Sequence, residues 1–214
     1  MAGSPAEFPA QLRQAGVAGV LRAPDAEGAV LAALAAVRGG LRAIELTFTT
    51  PDVERALREL RSALPEGVLL GAGSILTPEQ ARQAADVGAD FLVSPHLGED
   101  VLAVAQAASL PYLPGVLTPT EIVRARAMGA GVVKLFPTAS TGGPAYLKDL
   151  LGPFPDLQVM VTGGIGPAEV PAYLAAGALA VGLGSHLFPK TPLQQQDWDA
   201  VECATRTALQ QAGA

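Results

Sequence analysis

Gly131-Val132-Val133-Lys134-Leu135-Phe136-Pro137 is the stretch on which the reading of this chain turns. The run is apolar and β-branched, the signature of a buried parallel strand, and a lysine stands in its middle. The chain has three lysines, and the other two, Lys148 and Lys190, lie in no such run. An ammonium in an apolar sheet is costly unless it is paired or gives up its proton. A lysine that gives it up is a nucleophile able to form a Schiff base with a carbonyl substrate. A Lys–Glu ion pair of purely structural purpose would satisfy the same run, so the rest of the chain decides between the two.

Working outward, short apolar runs alternate with Ala/Leu/Arg/Glu-rich amphipathic stretches from end to end. The strand candidates are Val17–Arg22, Ala43–Thr47, Leu69–Gly73, Phe91–Ser94, Tyr112–Gly115, Val132–Phe136, Val159–Thr162 and Ala180–Gly182. Helices are expected from near Ala26, Pro51, Pro78, Glu99, Pro119, Pro144 and Pro167, several opened by Thr-Pro or Gly-Pro. Gly88, Gly129 and Gly177, each followed by Ala, read as helix stops. A last amphipathic helix is expected over Gln194–Gln211. Eight βα units in series predict an α/β fold, a single-domain (β/α)8 TIM barrel spanning residues 1–214. The chain is shorter than the ~250 residues usual for that fold. An open doubly wound sheet is disfavoured because no G-x-G-x-x-G follows the first strand.

Composition narrows the function classes. The formal net charge of −6 and the scattered arginines argue against nucleic acid. No apolar run approaches the ~18 residues that cross a bilayer, and Met1–Gln14 lacks the pattern of a signal peptide, so the expectation is a cytoplasmic protein without membrane partners. Cys203 is the only cysteine; it has no internal disulfide partner, and its neighbours suggest packing. His96 and His186 stand outside any metal-ligand spacing, so neither a metal nor another cofactor is expected.

In a barrel of this kind the chemistry lies at the C-terminal ends of the strands. Period-two alternation puts Ala43, Glu45 and Thr47 on one face, so Glu45 is expected to point into the barrel toward Lys134. A carboxylate there balances charge, shuttles protons, or does both. Thr162-Gly163-Gly164-Ile165-Gly166 and Gly182-Leu183-Gly184-Ser185 follow strands seven and eight, where such barrels commonly bind phosphate through backbone N–H groups. Arg22 ends strand one and suits a substrate carboxylate or phosphate, or an ion pair with Glu45 or Asp25. Ser74 and Thr118 offer hydroxyls; Pro95 and Phe136 offer apolar walls.

Glu45-Leu46-Thr47, Gly71-Ala72-Gly73-Ser74, Ser94-Pro95, Pro114-Gly115-Val116-Leu117-Thr118-Pro119, Val133-Lys134-Leu135-Phe136-Pro137, Thr162-Gly163-Gly164-Ile165 and Gly184-Ser185 together resemble the 2-dehydro-3-deoxy-phosphogluconate (KDPG) aldolase family, in collinear order from Val17 to Ser185. The resemblance implies a class I, metal-independent carbon–carbon lyase, commonly a homotrimer. It would cleave 2-dehydro-3-deoxy-6-phosphogluconate, a phosphorylated keto acid, to pyruvate and glyceraldehyde 3-phosphate. It implies Lys134 as the Schiff-base lysine and Glu45 as general acid–base. It places Gly163, Gly164, Gly184 and Ser185 at the phosphate, and Ser74, Pro95, Phe136 and Thr162 in the pocket.

Two positions depart from the family's pattern. The loop after the Glu strand, where the family often has a carboxylate-binding arginine, reads Phe48-Thr49-Thr50, leaving Thr49 there and Arg22 as the available cation. After Ser94-Pro95 the usual Gly or Asn is His96. The alternatives are the galactonate epimer or 4-hydroxy-2-oxoglutarate as substrate, a phosphate-binding isomerase or synthase without imine chemistry, and a non-catalytic sugar-phosphate sensor.

Overall fold

The structure, a computed structural model, describes residues 5–213. Its parallel strands are β1 (Val17–Leu21), β2 (Ala43–Thr47), β3 (Leu69–Gly73), β4 (Phe91–Val93), β5 (Tyr112–Leu113), β6 (Gly115–Val116), β7 (Val133–Leu135), β8 (Val159–Thr162) and β9 (Ala180–Leu183). They pair in the order β5-β4-β3-β2-β1-β9-β8-β7-β6. β5 and β6 are the halves of the expected fifth strand, interrupted at Pro114, which has no N–H to give the ladder. The Pro114 carbonyl still accepts from the Lys134 N–H at 2.9 Å. The order therefore begins and ends on one stretch of chain, and the expected eight-stranded cylinder is what forms.

The helices are α1 (Phe8–Ala15), α2 (Ala26–Arg38), α3 (Val53–Ala63), α4 (Pro78–Asp86), α5 (Glu99–Ala107), α6 (Pro119–Ala127), α7 (Gly143–Leu151), α8 (Val170–Ala176), α9 (Lys190–Gln195) and α10 (Trp198–Ala212). Four of them, α2, α4, α6 and α10, begin where a side chain accepts one of the backbone's orphan N–H groups: Asp25 takes the Gly28 N–H at 2.7 Å, and Thr77 the Gln80 N–H at 3.3 Å. Gly88, Gly129 and Gly177 stop their helices with φ of 85°, 90° and 115°, a conformation that other residues adopt only at a cost. No helix of the described residues is long and apolar enough to cross a membrane.

Alternation sorts the side chains as the strand reading required. Ile44 and Leu46 pack outward in the large cluster under the helices, whereas Ala43 lies in a second cluster inside the cylinder. Val133 and Leu135 likewise face out, and Val132 faces in.

Several boundaries differ from expectation. Helix α3 starts at Val53, not Pro51, because Asp52 turns left-handed with φ 51°. Pro167 opens a 3-10 turn, Pro167–Glu169, ahead of α8. The single helix expected over Gln194–Gln211 is two: Gln196 ends α9 with φ 55°, and the Asp197 carboxylate then caps α10 by accepting from the Ala200 N–H at 3.0 Å. Cys203 does not pack. The buried stripe of α10 runs through Val201, Thr205, Ala208, Leu209 and Ala212, which leaves Cys203 exposed.

Helix α1 was not foreseen. Phe8 and Leu12, one turn apart, are buried inside the cylinder with Ala18, Ala43, Met160 and Ala180. The Phe8 ring lies 5.1 Å from that of Phe91, which in turn rests on Gly71, where a Cβ would stand 2.2 Å from the ring. The helix thus plugs the N-terminal end of the barrel with apolar side chains. Leu12→Ala should cost about 3 kcal/mol through the lost burial and the void it leaves, read as a lower urea midpoint at unchanged slope.

Candidate active site

β2 and β7 aim Glu45 and Lys134 into the cylinder from opposite sides, above its apolar filling. Lys134 Nζ stands 3.4 Å from Glu45 Oε1, with side-chain exposures of 9% and 1%. The other carboxylate oxygen, Oε2, is buried and has no hydrogen-bond partner among the described residues. A pair kept for stability would close to about 2.7–2.9 Å and satisfy both oxygens. This one does neither within the described residues. The Phe136 ring, its centroid 5.6 Å from Nζ, forms one wall.

Gly73 makes the arrangement possible. A Cβ there would sit 2.1 Å from Glu45 Oε1 and 2.4 Å from Cγ, so a side chain at 73 and the present Glu45 conformer exclude one another. This position was read only as a strand end. The missed signal is the small residue at 73, whose register partner, Thr47, lies two residues beyond Glu45 on the same face.

Arg22 forms no ion pair with Glu45 or Asp25. Its Nε donates to Thr49 Oγ1 at 2.6 Å, and Thr49 Oγ1 lies 2.8 Å from Thr47 Oγ1. A hydroxyl ladder therefore runs up the inward face of β2 and ends on the guanidinium of Arg22, which follows β1. Thr50 ties the same loop to β1 by accepting the Ala23 N–H at 3.2 Å.

The glycine corners stand at the mouth as expected. Gly163 and Gly164 have φ of 103° and 76°, and a Cβ on Gly163 would meet Phe136 and Pro137 at 3.1 Å. Thr162 is buried beside them, with Gly182 small enough to admit its hydroxyl. Gly184 and Ser185 line a cavity of about 510 Å³ together with Val20 and Arg22. Val20 is the register partner of Glu45 on the neighbouring strand, but neither Glu45 nor Lys134 is among the residues that line this cavity. A larger cavity, about 600 Å³, lies at the opposite end around Arg42, Arg61 and Asp90. Strand polarity separates it from the chemistry.

Other candidates have tasks of their own. Ser74 follows β3 with φ 57°, and its loop is held when Ser94 Oγ donates to the Ile75 carbonyl at 2.6 Å. Pro95 and His96 are exposed, and the His96 carbonyl accepts from the Gly115 N–H at 3.1 Å. Burial pushes the nearby Tyr112 phenol above its ordinary pKa. Thr118 is committed to α6: it accepts the Glu121 N–H at 3.4 Å, while Glu121 Oε2 takes the N–H groups of Leu117 and Thr118 at 2.9 and 2.7 Å. Those two backbone bonds are the main reason the Glu121 pKa is lowered. No group of three or more His, Cys, Asp or Glu among the described residues could hold a metal ion.

The model of the KDPG and KHG aldolase family matches residues 9–204. The chain belongs to that family. It is 36% identical over 199 residues to the 2-dehydro-3-deoxy-phosphogluconate aldolase of Haemophilus influenzae, covering 93% of each chain. The KHG/KDPG aldolase of Escherichia coli is 35% identical across 87% of each. A crystal structure of KDPG aldolase from Legionella pneumophila, with pyruvate captured at low pH as a covalent carbinolamine, matches with a TM-score of 0.87 at 30% identity, over 96% of this chain and 98% of that one. Aldolases of this family are carbon–carbon lyases, so the KDPG resemblance read from the motifs holds across the barrel.

Two outcomes follow from the geometry. Gly73→Ala should displace Glu45 and lower kcat by about 10²-fold while circular dichroism stays native, because small misplacements of catalytic groups are that expensive. Thr118→Ala should cost about 1 kcal/mol of stability from the lost cap and leave kcat within about twofold. With its pKa lowered by folding, Glu121 contributes stability above its unfolded value near 4.3, and that contribution fades as pH falls through the folded value. Glu121→Gln should therefore flatten the acid limb of a stability–pH curve.

Proposed function

We propose that the chain cleaves 2-dehydro-3-deoxy-6-phosphogluconate to pyruvate and glyceraldehyde 3-phosphate as a class I aldolase. The observation that carries the reading is the buried Lys134–Glu45 pair, 3.4 Å apart with one carboxylate oxygen unfilled, in a chain of this family. Lys134, as the free amine, attacks the C2 ketone, and loss of water from the carbinolamine leaves an iminium ion. Glu45 accepts the C4 hydroxyl proton, directly or through a water. The C3–C4 bond breaks, its electron pair passes to the iminium nitrogen as an enamine, and the aldehyde departs. Protonation at C3 and hydrolysis free pyruvate and Lys134.

Arg22, braced by Thr49, takes the substrate carboxylate, and Gly163, Gly164, Gly184 and Ser185 take the phosphate. Ser74, Pro95, Phe136 and Thr162 shape the chamber between them. The Arg22–Thr49 arrangement also favours a second reading, in which the galactonate epimer or 4-hydroxy-2-oxoglutarate is accepted. The cytoplasm is the proposed location and a homotrimer the proposed assembly. Leu76 and Val123, 56% and 53% exposed, are apolar surface available for burial between copies.

Borohydride reduction in the presence of pyruvate should leave one adduct, on Lys134, by mass spectrometry; an active Lys134→Ala variant would overturn the mechanism. Glu45→Gln should keep the adduct yet lower kcat by about 10²–10⁴-fold. Turnover on the two epimers and on 4-hydroxy-2-oxoglutarate ranks the substrates.

A further inference from the structure

Of the arginines described, seven are held in ion pairs with carboxylates: Arg38, Arg55, Arg61, Arg82, Arg124, Arg126 and Arg206. Arg22 is in none of these pairs, and it lines the cavity of about 510 Å³ at the mouth. A second cation lines the same cavity. Lys190, the first residue of α9, is exposed, and no carboxylate is among the residues that form the lining. In a chain of net charge −6, two cations facing one cavity free of acidic groups create a local positive field. The same lining includes Gly184 and Ser185, whose backbone and hydroxyl donors are neutral.

The fold holds Lys190 at that rim. Leu187 and Phe188 N–H groups both donate to the Gly184 carbonyl at 3.0 Å, turning the chain directly after β9. Phe188 is buried, 5% exposed, against Gly19, where a Cβ would stand 3.0 Å from its ring. That anchor fixes the start of α9, two residues before Lys190. On the β2 side, Arg22 is restrained through its Nε by Thr49. Of the other lysines, Lys134 is inside the barrel and Lys148 is on α7.

We propose that Lys190 is a specificity-determining residue that binds the phosphoryl end of the substrate, completing with a full positive charge the neutral donors of Gly184 and Ser185. A phosphate monoester dianion in a half-open site gains most from a charge-assisted donor that reaches its outer oxygens. The flexible ammonium of a lysine suits that position, where the group is read as charge and not as a planar fork. The distal carboxylate of 4-hydroxy-2-oxoglutarate is a single negative charge borne directly on C4, short of the place a C6 phosphate reaches, and gains less from that ammonium. The inference rests on the aldolase reading for its substrate, and it adds the residue that makes the phosphate count.

The test compares wild type, Lys190→Gln and Lys190→Arg on 2-dehydro-3-deoxy-6-phosphogluconate and on 4-hydroxy-2-oxoglutarate. The ratio of kcat/KM values, phosphorylated over unphosphorylated, should fall about tenfold in Lys190→Gln, chiefly through KM, and recover in Lys190→Arg. An unchanged ratio, whether neither value moves or both fall together, overturns the proposal. Calorimetric titration with inorganic phosphate decides independently of turnover: affinity should drop about tenfold in Lys190→Gln, and equal affinities would refute the assignment. Failure of wild type to form the borohydride-trapped pyruvate adduct would instead remove the aldolase reading and leave the phosphate titration to judge Lys190 alone.

Discussion

Two opposite charges facing each other inside an apolar cylinder constrain everything around them. Removing an amine and a carboxylate from water costs several kcal/mol for each ion, and only close pairing or a further partner offsets it. Here the approach is loose and one carboxylate oxygen is left over. The surrounding fold holds that imperfect arrangement: β2 and β7 fix the backbones, Gly73 clears the space, and Phe136 covers the amine. A site prepared for a substrate has this character, since its unsatisfied groups become satisfied on binding.

The parts of the site that come from strands were legible in the sequence. Glu45 and Lys134 lie in short runs whose alternation is local, so reading two or three neighbours was enough to place both side chains inside. The glycine corners were legible because strand polarity dictates which end of a barrel carries them. Helix starts were readable at Thr77-Pro78 and Thr118-Pro119, and less so at Thr50-Pro51 and Gly166-Pro167, where turns intervene.

What escaped depends on contacts distant in sequence. Helix α1 exists because the barrel floor offers Phe8 and Leu12 a cavity, which nothing in residues 8–15 declares. The break at Gln196 and Asp197 is set by the need of α9 to stay at the mouth while α10 packs on α2. Gly73 looked like an ordinary strand-end glycine until the reach of Glu45 across the sheet was known. Thr118, a hydroxyl at the end of a strand, is also engaged by its own helix, which strand polarity alone does not reveal.

The plug at the N-terminal end has a kinetic meaning. With Phe8 and Leu12 filling its base, the barrel is a blind vessel with one doorway. Whatever is released must pass the rim that admitted it. In the proposed reaction both fragments leave by that rim, and the water that hydrolyses the lysine-bound acid enters by it. A single shared passage is thus a property of the stopper at the bottom as much as of the chemistry at the top.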